Sequence, residues 1–273
     1  MKKRLNTVLG NMFFSYFPES KLKNRIKCFL ANKYLFRHHD FTTTYKNDIF
    51  YVEYHQNVYN FCDYPSSDFY EILEGYLRNT SLNKDDVIID CGAYQGTFTV
   101  LAAKMVGEKG MVISFEPDPE NYKKLLYNLE LNNVSNVITI NKGLWNSEAE
   151  LDFKQDSKGS SFIYNQKDDT TKSLTTVSVV SLDKELKKIG VKKVDFIKAD
   201  VEGSEIELVK GSEKTLLNNN VNLAIASYHE LNGQKTYLTL EKMFNELGYE
   251  SFTGFEDHLT TYASKNIEQP DDY

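Results

Sequence analysis

What narrows the possible folds fastest is a strand that runs into a glycine turn and a helix, followed by a second strand that ends in an acid. Val87-Ile88-Ile89 is an apolar, β-branched run suited to a strand buried on both faces. It stops at Asp90-Cys91-Gly92, the chain turns through Ala93-Tyr94-Gln95-Gly96, and Thr97 to Val106 reads as a helix. A second strand, Met111 to Phe115, halts at Glu116-Pro117-Asp118-Pro119. Asp118 caps the next helix with Pro119 in its first turn, and Tyr122, Leu125, Leu126 and Leu129 form its apolar face. Strand, helix, strand, helix in this order is the βαβ grammar of a mostly parallel sheet covered on both sides: an α/β, Rossmann-like, three-layer sandwich.

The alternation continues with strands at Val137–Ile140, Val194–Ala199 and Asn222–Ser227, and helices at Leu182–Ile189, Ile206–Leu217 and Leu238–Leu247, the last stopped by Gly248. Tyr249–Thr253 and Leu259–Ala263 read as a terminal strand pair. Between 146 and 182 the alternation lapses into short strands, read as an antiparallel insertion, and residues 267–273 form a polar tail. The α/β domain therefore occupies 81–266. Residues 1–80 form a helical and aromatic lobe: a basic helix over Glu19 to Phe36, a hairpin before Pro65, and a helix from Ser66 to Leu77. In the first helix Leu22, Ile26, Phe29, Leu30 and Tyr34 recur at helical spacing among Lys21, Lys23, Arg25 and Lys27. That pattern predicts an apolar stripe packed on the main domain, with docking to an anionic membrane surface as the second reading.

Charge divides the chain in the same place. Residues 1–40 carry nine Lys and Arg against Glu19 and Asp40, whereas the whole chain of 273 residues has a net charge of −7, leaving −14 on the remainder. An acidic body repels phosphate backbones and argues against nucleic acid as substrate. Three scattered cysteines, Cys28, Cys62 and Cys91, offer neither a disulfide framework nor zinc spacing and point to a reducing, cytoplasmic compartment. No run approaches the roughly 20 apolar residues of a membrane span, and the N-terminus lacks the form of a signal peptide.

Two cofactor classes use a glycine turn followed by an acid at the end of the second strand. A dinucleotide would lay its diphosphate on the helix N-terminus, but here Gly92 is followed by Ala93 and Tyr94, and Asp90 stands at the turn. A desolvated carboxylate there costs a diphosphate several kcal/mol. S-adenosylmethionine brings a sulfonium, an ammonium and a ribose diol instead, and Glu116 can accept both diol hydroxyls. The residues assigned to the cofactor on these grounds are Asp90, Gly92, Ala93, Tyr94, Gly96, Thr97, Glu116 and Pro117.

Ligands of open α/β sheets bind beyond the carboxyl ends of the strands. Asp200-Val201-Glu202-Gly203 and Ser227-Tyr228-His229-Glu230 occupy those positions after the fourth and fifth parallel strands. Methyl transfer to a hydroxyl requires alignment and removal of a proton; His229 is the natural base near neutral pH, with Asp200 or Glu202 orienting it or acting in its place. Tyr228 and Glu230 are placed at the acceptor. Paired carboxylates can also hold a divalent cation that chelates a diol, but without a clear third ligand metal-free chemistry is the expectation.

The segments V-I-I-D-C-G-A-Y-Q-G-T-F-T (87–99), F-E-P-D-P-E-N (115–121), S-L-D-K-E-L (181–186) and D-F-I-K-A-D-V-E-G-S-E-I-E-L-V-K-G (195–211) resemble the FkbM family of S-adenosylmethionine-dependent methyltransferases over about residues 85–265. The resemblance implies a class I methyltransferase fold, a seven-stranded sheet with an antiparallel terminal strand, and O-methylation of sugars or other hydroxylated metabolites. It further implies that Gly143 and Leu144 lie beside the adenine and that Asp200 to Glu202 line the reaction centre, with Asp200 also near the cofactor. Cys91 and Ala199 depart modestly from the family pattern, and the N-terminal lobe over 1–80 has no counterpart in it, such lobes usually covering the acceptor. The function expected is O-methylation of a saccharide or glycosylated metabolite destined for surface polysaccharide or glycoconjugate. The alternatives are an NAD-dependent oxidoreductase and a non-catalytic membrane-surface adaptor.

Overall fold

A computed structural model describes residues 18–154, 161–162, 174–231 and 233–265. In chain order the elements are α1 (Lys21–Leu30), β1 (Phe41–Lys46), β2 (Ile49–Tyr54), β3 (Asn57–Phe61), α2 (Ser66–Glu71), β4 (Val87–Cys91), α3 (Thr97–Val106), β5 (Met111–Phe115), α4 (Pro119–Leu131), β6 (Val137–Ile140), β7 (Gly143–Leu144), β8 (Ala149–Lys154), β9 (Ser161–Phe162) and β10 (Leu174–Val180). There follow α5 (Leu182–Ile189), β11 (Phe196–Ala199), α6 (Glu205–Lys210), α7 (Glu213–Asn218), β12 (Asn222–Ala226), β13 (Glu230–Leu231), β14 (Gln234–Lys235), α8 (Thr236–Glu246), β15 (Glu250–Gly254) and β16 (Thr260–Ser264).

The central sheet has seven strands in the order β15-β16-β12-β11-β4-β5-β6. Its pairings are parallel from β6 across to β12, and β16 lies antiparallel between β12 and β15. Alternation along each strand feeds two cores. Ile88, Val112 and Phe196 face one side with Phe98 and Val100 of α3, whereas Ile89, Ile113 and Ile197 face the other with Leu186, Leu208 and Phe244. Ile88 and Ile89 are wholly buried on opposite faces, each burial stabilising the fold by about 1.5–3 kcal/mol, which makes the three layers a direct consequence of consecutive apolar residues.

Three local expectations give way. The hairpin before Pro65 is a three-stranded meander, β1-β2-β3. The single helix over Ile206–Leu217 is two, α6 and α7, broken at Gly211, where a side chain would meet the Trp145 carbonyl oxygen at 2.1 Å. The stripe of α1 does not pack as its spacing suggests: Cys28, Ala31 and Phe36 are buried, while Leu22, Phe29 and Tyr34 are 67%, 58% and 61% exposed. Asn32 explains the rotation, because its side-chain amide brackets the Thr43 backbone, accepting from its N–H at 3.0 Å and donating to its carbonyl at 2.9 Å. The insertion forms a separate sheet, β7-β10-β8-β9, whose β7 pairs parallel to β10; residues 155–160 and 163–173 of it, and the tail, lie outside the described residues.

The N-terminal lobe is fastened to the cofactor side of the sheet. Asn132 and Asn128 of α4 accept hydrogen bonds from the Asn60 and Cys62 backbone, Gln95 and Thr97 donate to Asp68, and the Tyr262 hydroxyl donates to the Gly75 carbonyl. Phe69, Ile72 and Tyr76 share one core with Ile88, Phe98 and Val100, so the lobe forms a fixed wall above the carboxyl ends of the strands.

Candidate active site

The turn after β4 is shaped by its glycines. Gly92 has φ +74°, and a Cβ on it would stand 1.9 Å from the Asp200 carbonyl oxygen, so no other residue lets the two strand ends approach this closely. Gly92 and Ala93 donate backbone N–H bonds to Phe115 O, which ties the loop to the end of β5. Tyr94, at φ +51°, is a non-glycine residue held in the left-handed region, and its N–H donates to Glu116 Oε2 at 2.7 Å. Asp118 N–H donates to the other carboxylate oxygen at 2.9 Å. Burial pushes the Glu116 carboxyl up to about 7, with those two backbone donors holding it from going higher.

Asp90 is not at the mouth of the turn. It is fully buried beneath the loop, accepts from Thr99 Oγ1, and forms an ion pair with Lys198 Nζ at 3.2 Å. Lys198 also donates to the Gly92 carbonyl at 2.7 Å. Burial works against that ammonium, but Asp90 and Asp200 more than offset it and raise its pKa. Asp90 thus shapes the loop from below through Lys198, because a carboxylate inside a βαβ core is tolerable only when paired. Gly96 is also outside the cavity: at φ +85° it begins α3, with Leu125 Cδ1 2.4 Å from where a Cβ would lie.

One cavity of about 630 Å³ opens over this loop. Gly92, Ala93, Tyr94, Thr97, Glu116 and Pro117 line one end of it, and Gly143 and Leu144 reach it from β7. It continues to Asp200, Glu202 and Tyr228, and the N-terminal lobe closes it with Tyr64, Asp68 and Tyr76. Its acids outnumber its lysines. Lys198 is paired as described, Lys142 faces Glu185 at 3.3 Å, and Lys27 lies over the Tyr64 ring at 4.0 Å. The resulting negative field favours a sulfonium and an ammonium over a diphosphate.

At the acceptor end Asp200 Oδ2 accepts from the Tyr76 hydroxyl at 2.9 Å. Burial opposes its ionisation, yet Lys198 above all, with His229 and that hydroxyl, holds it below the usual carboxylate range. Glu202 sits at φ +51° before Gly203 at +100°, a backbone that aims its carboxylate back toward β12. His229 is brought beside these acids but behind them, not among the cavity-lining residues. Its Nε2 meets Glu202 Oε2 at 3.0 Å and its Nδ1 forms an ion pair with Glu205 Oε1 at 2.8 Å, off the line of an aligned hydrogen bond. Burial alone would lower its pKa; the two carboxylates carry it up to about 10. With a carboxylate at each nitrogen, the ring is turned toward the acids rather than into the cavity, where the sequence placed it as the base. Glu230 is not brought to the cavity either: it is exposed and pairs with Lys235 at 3.0 Å.

Sequence reasoning did not find Tyr76 or His258, both of which line the cavity. His258 Nε2 stands 3.5 Å from the Tyr76 hydroxyl, its ring 4.7 Å from that of Tyr228, and burial holds its imidazole below its ordinary value despite the nearby Asp200 charge. A signal existed. β15 is parallel to β12, being two antiparallel steps away, so its carboxyl end opens on the same edge as Asp200 and the turn at 255–259 belongs to the site. Tyr76 had none, since it reaches 124 residues along the chain.

The profile of the methyltransferase FkbM domain matches residues 90–251. The chain is 28% identical over 146 residues to the hexuronic acid methyltransferase AglP of Haloferax volcanii, covering 54% of this chain and 57% of that protein. It is 29% identical over 148 residues to methyltransferase 1 of Beauveria bassiana, covering 46% of this chain and 58% of that one. It therefore spans less than two thirds of the length of these curated relatives. Among solved structures, an FkbM methyltransferase from Methylobacillus flagellatus KT aligns with a TM-score of 0.47 at 20% identity, over 66% of this chain and 44% of that one. Fibrillarin from Aeropyrum pernix, in complex with S-adenosyl-L-methionine, aligns at 0.46 and 13%, over 81% and 97%. Matched across most of its central sheet, the chain belongs to the FkbM family of S-adenosylmethionine-dependent methyltransferases.

Proposed function

We propose that the chain transfers the methyl group of S-adenosylmethionine to a hydroxyl of a saccharide or glycosylated metabolite, in the making of a surface polysaccharide or glycoconjugate. The observation that carries this reading is a continuous cavity that begins at Glu116 and ends among Asp200, Tyr228, His258 and the lobe residues Tyr64 and Tyr76. Aromatic faces and carboxylates together suit a polyol, whose C–H faces stack on rings and whose hydroxyls donate to acids. The relative named as a hexuronic acid methyltransferase supports a sugar acceptor. The acidic lining here favours a neutral hydroxylated sugar over a uronate, whose carboxylate it would repel. The same field weighs against the NAD-dependent alternative.

S-adenosylmethionine bound here would supply a methyl group activated by its sulfonium, to be taken by an acceptor oxygen with the C–S bonding pair kept on sulfur as S-adenosylhomocysteine. Glu116 holds the ribose diol, Asp200 accepts a hydrogen bond from the acceptor, and His258, a neutral imidazole facing the cavity, takes the hydroxyl proton. His229, standing between the Glu202 and Glu205 carboxylates, positions Glu202. The test is methyl transfer from S-adenosylmethionine to a panel of nucleotide sugars and oligosaccharides, followed by mass spectrometry. A methylated neutral sugar with equimolar S-adenosylhomocysteine is expected; transfer only to non-carbohydrate acceptors overturns the sugar assignment.

A second reading is favoured by α1, whose exposed Leu22, Ile26 and Phe29 follow the i, i+4, i+7 spacing of one face while Lys21, Arg25 and Lys33 surround them. Among the described residues no helix is long and apolar enough to cross a membrane. We infer that this face rests on an anionic lipid surface, which brings the cavity to lipid-linked or surface glycans. Salt-sensitive co-sedimentation with phosphatidylglycerol vesicles tests it.

A further inference from the structure

Two carboxylates at the acceptor end lacked a third partner when read from the chain alone; the fold supplies it. Asp200, Glu202 and His229 each present one ligand atom, and the three atoms lie within 4.8 Å of one another. Donors around a six-coordinate Mg²⁺ or Mn²⁺ at about 2.1 Å stand about 3.0 Å apart along an edge and about 4.2 Å apart across the ion. His229 Nε2 and Glu202 Oε2 are already 3.0 Å apart.

In the ion-free chain a proton shared between His229 and Glu202 accounts for that pair, and a cation bound there takes its place and releases it to solvent, but that proton does not account for Asp200. Its Oδ2 takes the Tyr76 hydroxyl, whereas Oδ1 is buried against the cavity with no hydrogen-bond partner. Lys198 does not serve it, because its ammonium is bound to Asp90 and to the Gly92 carbonyl. Glu205 adds an independent sign. Its carboxylate is wholly buried behind His229, facing Nδ1 at 2.8 Å, and leaves the far nitrogen toward Glu202. A carboxylate behind an imidazole is the arrangement that orients a metal-ligating histidine.

We propose that Asp200, Glu202 and His229 hold a divalent cation of the Mg²⁺ or Mn²⁺ class, and that its open positions take two adjacent hydroxyls of the acceptor. Two carboxylates and one imidazole are a donor set for such an ion, and three protein ligands leave the sphere open as a substrate site requires. The inference rests on the hydroxyl-acceptor reading for the second half of its statement only. It narrows the acceptor class to sugars with a free vicinal diol at the methylated position, and it leaves His258 as the proton acceptor.

The experiment is titration of the full chain with Mn²⁺, read from the electron paramagnetic resonance signal of the free ion, with neither cofactor nor acceptor present. One Mn²⁺ per chain, displaced by Mg²⁺, is expected, with affinity reduced about tenfold or more in Asp200→Asn, His229→Gln and Glu205→Gln. Glu213→Gln, on the exposed start of α7, retains wild-type affinity. Thermal melting and S-adenosylhomocysteine binding of each variant separate loss of the site from loss of the fold. Absence of saturable Mn²⁺ binding by the wild type, or equal binding by folded Asp200→Asn and His229→Gln, overturns the proposal. Methylation of a sugar undiminished by a chelator overturns the diol-chelating role while leaving the methyltransferase reading intact. Failure to bind S-adenosylhomocysteine overturns that reading and leaves the Mn²⁺ result standing.

Discussion

With Glu116 as the proposed holder of the ribose diol, cofactor affinity is expected to depend on pH over the neutral range. Its carboxyl is lifted to about 7 in the cofactor-free protein, chiefly by burial. Only the ionised form accepts both hydroxyls of a ribose diol, so the competent fraction is about one tenth at pH 6 and about nine tenths at pH 8. The apparent dissociation constant of S-adenosylhomocysteine therefore falls about tenfold from pH 6 to pH 8 and levels off above, since the ligand's own charged groups titrate outside that window. The linked effect on folding has the opposite sign. A carboxyl raised from 4.5 to about 7 contributes stability that is complete below pH 4.5 and lost as pH rises through 7, by roughly 3 kcal/mol in the ligand-free chain. Glu116→Gln removes both dependences and one acceptor of the diol, weakening binding at pH 8 by about 1.5–3 kcal/mol. Isothermal titration calorimetry at pH 6, 7 and 8 reads the affinities, and urea unfolding reads the stability. Equal wild-type affinity at all three pH values, or a Glu116→Gln variant that keeps the slope, refutes the reasoning.

His258→Ala lowers turnover by about 10²–10⁴-fold with S-adenosylhomocysteine affinity retained, and steady-state kinetics beside calorimetry would expose a normal rate as a contradiction. Lys198→Met strands the buried Asp90 carboxylate and destabilises the chain by about 3–5 kcal/mol in urea unfolding, against little change if the pair is incidental. Gly92→Ala, driven into the Asp200 carbonyl, abolishes cofactor binding and lowers the melting temperature; a variant that melts and binds as wild type would show the loop to be more accommodating than its geometry. Phe29→Asp on the exposed face of α1 leaves stability within about 0.5 kcal/mol but abolishes vesicle co-sedimentation, and retained binding would dismiss the lipid contact.

The sheet was legible because its strands are short, apolar and buried on both faces, and because glycines, a proline and a capping aspartate mark the turns between them. The helix over Thr97–Val106 stands where its sequence places it, since Gly96 and Gly107 bound it on both sides. Legibility ended where tertiary contacts decide. Spacing showed that α1 is amphipathic but not which stripe is buried, a choice made by Asn32 reaching the Thr43 backbone. Asp90 and His229 stand at strand ends, yet their neighbours set their parts: Lys198 draws one below the loop, and Glu202 with Glu205 holds the other behind the cavity wall. Tyr76 reaches 124 residues along the chain to Asp200 with nothing local to announce it, whereas the direction of β15 pointed to the turn that carries His258.

The most direct measurement is incubation of the purified chain with S-adenosylmethionine carrying an isotope-labelled methyl group and a panel of neutral nucleotide sugars and oligosaccharides. Label appearing on a sugar hydroxyl, matched mole for mole by S-adenosylhomocysteine and lost in Glu116→Ala, is the predicted result. Saturable cofactor binding with no label on any hydroxylated sugar would contradict the assignment of the acceptor, and no cofactor binding at all would contradict the account at its root.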